Sequence, residues 1–145
     1  MDGPGPQTQG GYDRPIPQME PEAAPYWQSL REHQMRIQRC EDCGQFYFPP
    51  SVRCPRCLSD RVTWTEVSGR GQVWATATMF RAYLPAYEAD VPYDVSLVEL
   101  AEGAKVWSNV VDCDPDDVKV GMAVRVRYDD VTPALTLARF VPEDR

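Results

Sequence analysis

The second half of the chain is organised by alternation of apolar and polar positions. Val124, Val126 and Tyr128 alternate with Arg125 and Arg127, the period of a half-buried strand. Comparable β signals run over 72–80, 93–100, 104–111 and 134–141. With 123–128 they make five strands after Gly69, the count of a small Greek-key barrel. Glu102-Gly103 suits a tight hairpin, Asp114-Pro115-Asp116-Asp117 a polar turn, and Asp129 to Pro133 the last loop. Upstream, Met35 and Ile37 alternate with Arg36, Gln38 and Arg39, so a strand leads into Cys40.

Further towards the N-terminus the period changes. Tyr26, Trp27 and Leu30 recur at helical spacing, Glu22 lies near the start, and Pro25 is tolerable only in a first turn, which predicts a short amphipathic helix over residues 22–34. Such a helix either lids the domain's own core or offers Tyr26, Trp27 and Leu30 to a partner chain. Residues 1–20 hold four of the fourteen prolines and four of the nine glycines without apolar periodicity, and read as a disordered or loosely attached arm. The expected organisation is therefore mainly β: an arm (1–20), a helix (21–34), a small metal module (35–68) and a five-stranded barrel (69–145).

The metal module is the most specific feature. Cys40-Glu-Asp-Cys43 and Cys54-Pro-Arg-Cys57 are two CxxC knuckles ten residues apart. Each knuckle lets two thiolates converge on one ion, and two knuckles complete a tetrahedron with no open position for water. That is a structural clamp, with zinc as the expected ion and iron in a rubredoxin-like site as the alternative. A redox dithiol would need one CxxC in a βαβ context, and disulfides an oxidising compartment that no secretory signal supports.

Charge and composition then narrow the function. The chain has 145 residues, the size of a single domain, and no apolar run approaches the roughly 20 residues of a membrane-spanning helix. A soluble, cytoplasmic protein is expected. The net charge of −7 divides as −1 over residues 1–39, −1 over 40–68 and −5 over 69–145. A ribbon followed by a barrel raises the question of nucleic acid, but phosphate affinity needs several Lys/Arg on one face, and here they are few and scattered.

Catalytic signatures are thin. There is no P-loop, dinucleotide glycine fingerprint or HExxH pair. His33 is the sole histidine and reads as an exposed or interface residue; Cys113 reads as a small half-buried side chain; Glu99 and Glu102 face solvent or set a turn. Catalysis by the chain alone is not expected. The long segment from Arg81 to Tyr93, with Tyr83, Pro85 and Tyr87, is long for a small barrel and rich in interface-type residues. Arg70, Arg81 and Lys105 are the candidate cations for a phosphate-bearing ligand.

Taken together, Tyr26-Trp27, Leu30-Arg31, the Gln38-Arg39-Cys40 lead-in, the cysteine quartet with Phe48-Pro49-Pro50, then Pro92-Tyr93, Leu97-Val98-Glu99-Leu100 and Glu102-Gly103 resemble the DUF35 family over residues 20–142. The resemblance implies a rubredoxin-like zinc ribbon joined to an OB-fold. It also implies a noncatalytic subunit that completes a thiolase-like enzyme (thiolase, retro-aldolase or acyltransferase) in a hetero-oligomer, with an acyl-CoA as shared ligand. Relatives often carry an arginine soon after the Glu-Gly turn, where this chain has Lys105, so a phosphate contact there loses bidentate geometry. The rival expectations are a stand-alone acyl-CoA-binding module and, against the acidic charge, a nucleic-acid-binding ribbon/OB protein.

Overall fold

The structure is a computed structural model and describes residues 12–144. A 3-10 turn at Pro21–Ala23 leads into one α-helix, α1 (Ala24–Arg31), with Pro25 in its first turn. The helix is shorter than the periodicity predicts because it ends in a Schellman arrangement. His33 takes a left-handed φ of 57°, its amide donates to the Leu30 carbonyl (3.0 Å), and the Gln34 amide reaches back to Ser29 (2.9 Å). His33 is held there by tertiary contacts. Its ring stacks on Tyr128 (4.9 Å between centroids, 5° between planes) and Nε2 lies 3.0 Å from Asp130 Oδ1.

Three strands form the ribbon sheet in the order β2-β1-β3: β1 (Arg36–Cys40), β2 (Phe46–Tyr47) and β3 (Val62–Glu66). The helix is fastened to it by Ser29, fully buried, whose hydroxyl donates to the Tyr26 carbonyl (2.7 Å) and accepts from the Arg36 amide (3.0 Å).

The remaining strands are β4 (Arg70–Met79), β5 (Tyr93–Leu100), β6 (Lys105–Ser108), β7 (Ala123–Thr132) and β8 (Leu135–Pro142), antiparallel neighbours in the order β6-β5-β4-β7-β8. The sheet curls until the chain beyond β6 meets β8. A parallel bridge joins Val110 to Phe140, the Val111 amide donates to Phe140 (2.8 Å), and the Phe140 amide donates to Asn109 (3.0 Å). The expected strand over 104–111 is thus a four-residue strand plus this seam. The expected last loop is also largely strand: β7 runs through Asp129 and Asp130 to Thr132, with a bulge between Asp130 and Thr132. Those polar side chains fit a strand because each has a partner, Asp129 with Arg139 (3.1 Å) and Asp130 with Thr136 (2.5 Å) and His33.

Tyr26 and Leu30 of α1 and Met35 and Ile37 at the start of the ribbon pack in one cluster with Val73, Val98, Leu100, Val124 and Phe140 of the barrel. The helix therefore lids a core shared by ribbon and barrel. Of the predicted arm, residues 1–11 lie outside the described residues. Residues 14–17 are half-buried against the barrel, where Arg14 pairs with Asp90 (2.5 Å) and lies over the Tyr87 ring (5.7 Å). Among the described residues no helix is long and apolar enough to cross a membrane.

Candidate metal centre and surface sites

The two knuckles are copies of one backbone device. In the first, the Gly44 amide donates to the Cys40 carbonyl (2.8 Å) and the Cys40 amide to Gln45 (2.9 Å). In the second, Leu58 donates to Cys54 (2.8 Å) and Cys54 to Ser59 (2.9 Å). The residue after each second cysteine is left-handed, φ 76° at Gly44 and 64° at Leu58. Glycine accepts that conformation freely; the second knuckle imposes it on a leucine.

The four sulfurs lie within 4.8 Å of one another, with Cys40 and Cys54 buried and Cys43 and Cys57 exposed. Cys40 and Cys57 are 3.5 Å apart and Cys43 and Cys54 3.7 Å. A tetrahedron of zinc–sulfur bonds has edges of about 3.8 Å, so the quartet is already at ligand spacing. The Cys43 amide points at the Cys40 sulfur (3.5 Å) and the Arg56 amide at Cys54 (3.4 Å). Amide donation, from Cys43 first, holds the Cys40 thiol down to about 7, and donation from Cys57 and Arg56 lowers Cys54. Cys57 receives the Ser59 amide, which lowers it, yet the crowding of Cys40 and the other thiols, with burial, pushes it up to about 12. Four thiolates this close need a cation among them, and a soft, four-coordinate divalent ion fits the donor set. The four sulfurs would fill the coordination shell of such an ion, the arrangement of a structural rather than a substrate-binding centre.

The other predicted site residues do not form one site. Arg70 and Lys105 sit at one end of the barrel, where Arg70 approaches Glu143 (3.6 Å) and Lys105 approaches Glu99 (3.7 Å). Arg81 lies beyond the far end of β4, a strand of ten residues that spans about 30 Å. One phosphate group cannot bridge them. Tyr26 and Leu30 are 7% and 1% exposed and belong to the core, so of the three predicted partner contacts on α1 only the half-buried Trp27 reaches the surface. In the loop after β4, Tyr83 is exposed beneath Arg81, Pro85 is exposed, and Tyr87 is half-buried beside Tyr93 (5.8 Å between rings). Tyr87, Tyr93, Arg14, Asn109 and Arg139 line a groove of about 650 Å³ along the barrel seam, with the half-buried Cys113 on its wall.

Two features have no counterpart in the sequence reading. Asp94 on β5 is 2% exposed and accepts hydrogen bonds from Thr76 (2.6 Å), Ser96 (2.7 Å) and the Val110 amide (2.8 Å). Because β5 turns Asp94, Ser96, Val98 and Leu100 inward, it turns Val95 and Leu97 outward, beside the exposed Trp74 and Trp107. Both Trp residues lie in segments with strand signals, but alternation alone does not say which face is covered.

A four-cysteine ribbon sharing its core with a five-stranded, OB-like barrel defines a zinc-ribbon/OB-fold protein. Residues 27–63 match the family described as the ChsH2 rubredoxin-like zinc ribbon domain, and residues 64–129 the ChsH2 C-terminal OB-fold domain. The chain belongs to the DUF35 family. It is 36% identical over 105 residues to a DUF35 domain-containing scaffold protein of Methanocaldococcus jannaschii, covering 70% of this chain and 73% of that one. It is 35% identical over 129 residues to a probable enoyl-CoA hydratase alpha subunit of Thermomonospora curvata, 89% of this chain but only 40% of that protein's length. Among solved structures, a chain of an Ltp2-ChsH2(DUF35) aldolase superposes with a TM-score of 0.78 at 34% identity, over 88% of this chain and 98% of that one. A DUF35-family protein from Sulfolobus solfataricus shares the fold at 14% identity and a TM-score of 0.61.

Proposed function

We propose that the chain is a noncatalytic, zinc-containing subunit that completes a thiolase-like enzyme acting on an acyl-CoA by C–C bond cleavage or formation. The observation that carries this reading is the similarity, over nearly the whole of the neighbour's length, to a DUF35 chain described as part of an aldolase with a second protein. The use of four of the five cysteines in a closed thiol set is consistent with chemistry supplied by the partner. Zinc bound by Cys40, Cys43, Cys54 and Cys57 stabilises the ribbon. Trp27, Tyr83, Pro85 and Tyr87 contact the partner, and Arg70, Lys105 and Arg81 supply isolated cations towards the CoA, whose phosphates are held mainly by the partner because the barrel is acidic. The complex works in the cytoplasm.

The test is co-expression with a thiolase-like enzyme from the same genome, size-exclusion chromatography, and an assay of thiol release from a CoA ester. Co-elution with activity only in the mixture is expected. A partner that is fully active and elutes alone would sink the reading. The groove along the barrel seam has the volume of a small-molecule site and favours a second reading, a stand-alone acyl-CoA-binding module. Calorimetric binding of a CoA ester by the isolated chain would then replace the first.

A further inference from the structure

The middle of the outward face of β4, β5 and β6 is apolar where a solvated sheet face should be polar, with charged and polar side chains (Arg70, Gln72, Glu99 and Lys105) at one end. Strand β5 spends inward positions on Asp94 and Ser96 and turns Val95 and Leu97 out. Leu97 is paired on one side with Trp107 and on the other with Ala75, next to the bulge that carries Trp74. Trp74 is 51% and Trp107 68% exposed, and Phe80 and Tyr83, each 73% exposed, follow at the far end of β4. Trp74 and Trp107 alone expose on the order of 300 Å². That reaches the size of the largest apolar patch on a typical monomer and is more than a third of one side of a standard protein interface.

We propose that this face, centred on Trp74, Leu97 and Trp107, is where the catalytic partner docks, through an apolar, nearly uncharged surface of its own. The inference rests on the subunit reading above and assigns it a place. Charge favours a protein partner. At one end of this face Glu99 and Lys105 neutralise each other at 3.7 Å while Lys105 caps the Trp74 ring at 4.4 Å, and Arg70 approaches Glu143 at 3.6 Å. A nucleic-acid strand needs a row of cations beside its aromatic platforms, and an anionic membrane needs basic residues around the apolar face. Two copies of the chain would bring two acidic barrels face to face, whereas a partner without that charge meets no such repulsion. Access is open, because β6 is a four-residue strand at the edge of the sheet.

The test uses the full chain and the co-expressed thiolase-like enzyme, with binding measured by calorimetry and amide exchange read with and without the enzyme. Trp107→Asp and Leu97→Asp are expected to weaken binding at least about 30-fold, the loss typical of a buried anchor. Val52→Asp, a charge on an equally exposed ribbon residue, is expected to change it less than about 3-fold. Residues 93–108 of the wild-type chain are expected to gain exchange protection in the complex. Zinc content and circular dichroism report whether each variant folds; if one does not, the wild-type protection pattern decides. Complex formation without protection of 93–108, or equal binding by wild type and variants, overturns the docking face but leaves the subunit reading standing. No complex with the wild-type chain overturns both. A self-association of the chain abolished by Trp107→Asp, or salt-sensitive binding of single-stranded DNA lost in that variant, assigns the face to another occupant and overturns the proposal.

Discussion

Replacing Asp94 by Ala tests how the barrel is closed. Asp94 lies on the inner face of β5, and its carboxyl oxygens receive two hydroxyls, from Thr76 (2.6 Å) and Ser96 (2.7 Å), and the amide of Val110 (2.8 Å). The Asp94 carbonyl also accepts from the Asn109 side chain (2.6 Å). This one residue therefore ties β4 and β5 to the segment whose Val110 bridges to Phe140. In Asp94→Ala the two hydroxyls can rotate to other acceptors, but the buried Val110 amide cannot. Stranding that amide costs about 1–3 kcal/mol, and the lost bonds to an acidic acceptor add about 1.5–3 kcal/mol each, less the desolvation that the carboxyl no longer pays. A net loss of about 3–4 kcal/mol is expected, a fall in Tm on the order of 10 °C. Asp94→Asn keeps the shape and one acceptor oxygen for Val110, and should lose about 1–2 kcal/mol. Urea denaturation of the zinc-loaded protein gives both values, and amide exchange at Val110 should quicken in the Ala variant. A loss under 1 kcal/mol for Asp94→Ala, with Val110 still protected, would refute the reasoning.

Three further outcomes follow from the same geometry. Cys54→Ser, or zinc removal with a chelator, should disorder residues 40–62 while the barrel keeps its exchange protection, because the ribbon's own cluster is only Cys40, Tyr47 and Cys54 with Val62 against it; metal analysis and amide exchange check this. Gly71→Ala should destabilise by about 1–3 kcal/mol in denaturant titration, since its added methyl would overlap the Glu99 carbonyl oxygen and push β4 from β5 at a backbone contact that cannot yield. Asp130 is more acidic than usual, through the Thr136 hydroxyl first and His33 second, so its contribution is present above the ordinary carboxyl value of 3.8 and is lost as pH falls through the lower folded value. The stability gap between wild type and Asp130→Asn should accordingly be open at neutral pH and close in acid, as measured by urea titrations across pH 2–7.

The convergence of the four thiols was legible because it is local. Two residues between cysteines set a knuckle, and the Gly44 and Leu58 turns that make it are completed within six residues, Cys40 to Gln45 and Cys54 to Ser59. Three of the five barrel strands, β4, β5 and β8, were legible to within two residues of their ends, since alternation and turn chemistry act over a few residues. Errors fell where a distant partner changed the local outcome. Asp129 and Asp130 look like loop residues until Arg139, Thr136 and His33 supply their partners, and α1 stops early because His33 is drawn onto Tyr128.

From sequence alone came the thiol quartet, the mainly β architecture, the hairpin at Glu102-Gly103 and the acidic balance that disfavours nucleic acid. Tertiary structure alone decided that Tyr26 and Leu30 belong to the shared core, that Arg81 lies far from Arg70 and Lys105, and that β5 buries Asp94 while turning Leu97 outward. The physical reason is that a period of two states only that a strand has two faces. Which face is buried depends on what other layers of the chain, or a second chain, lie against it.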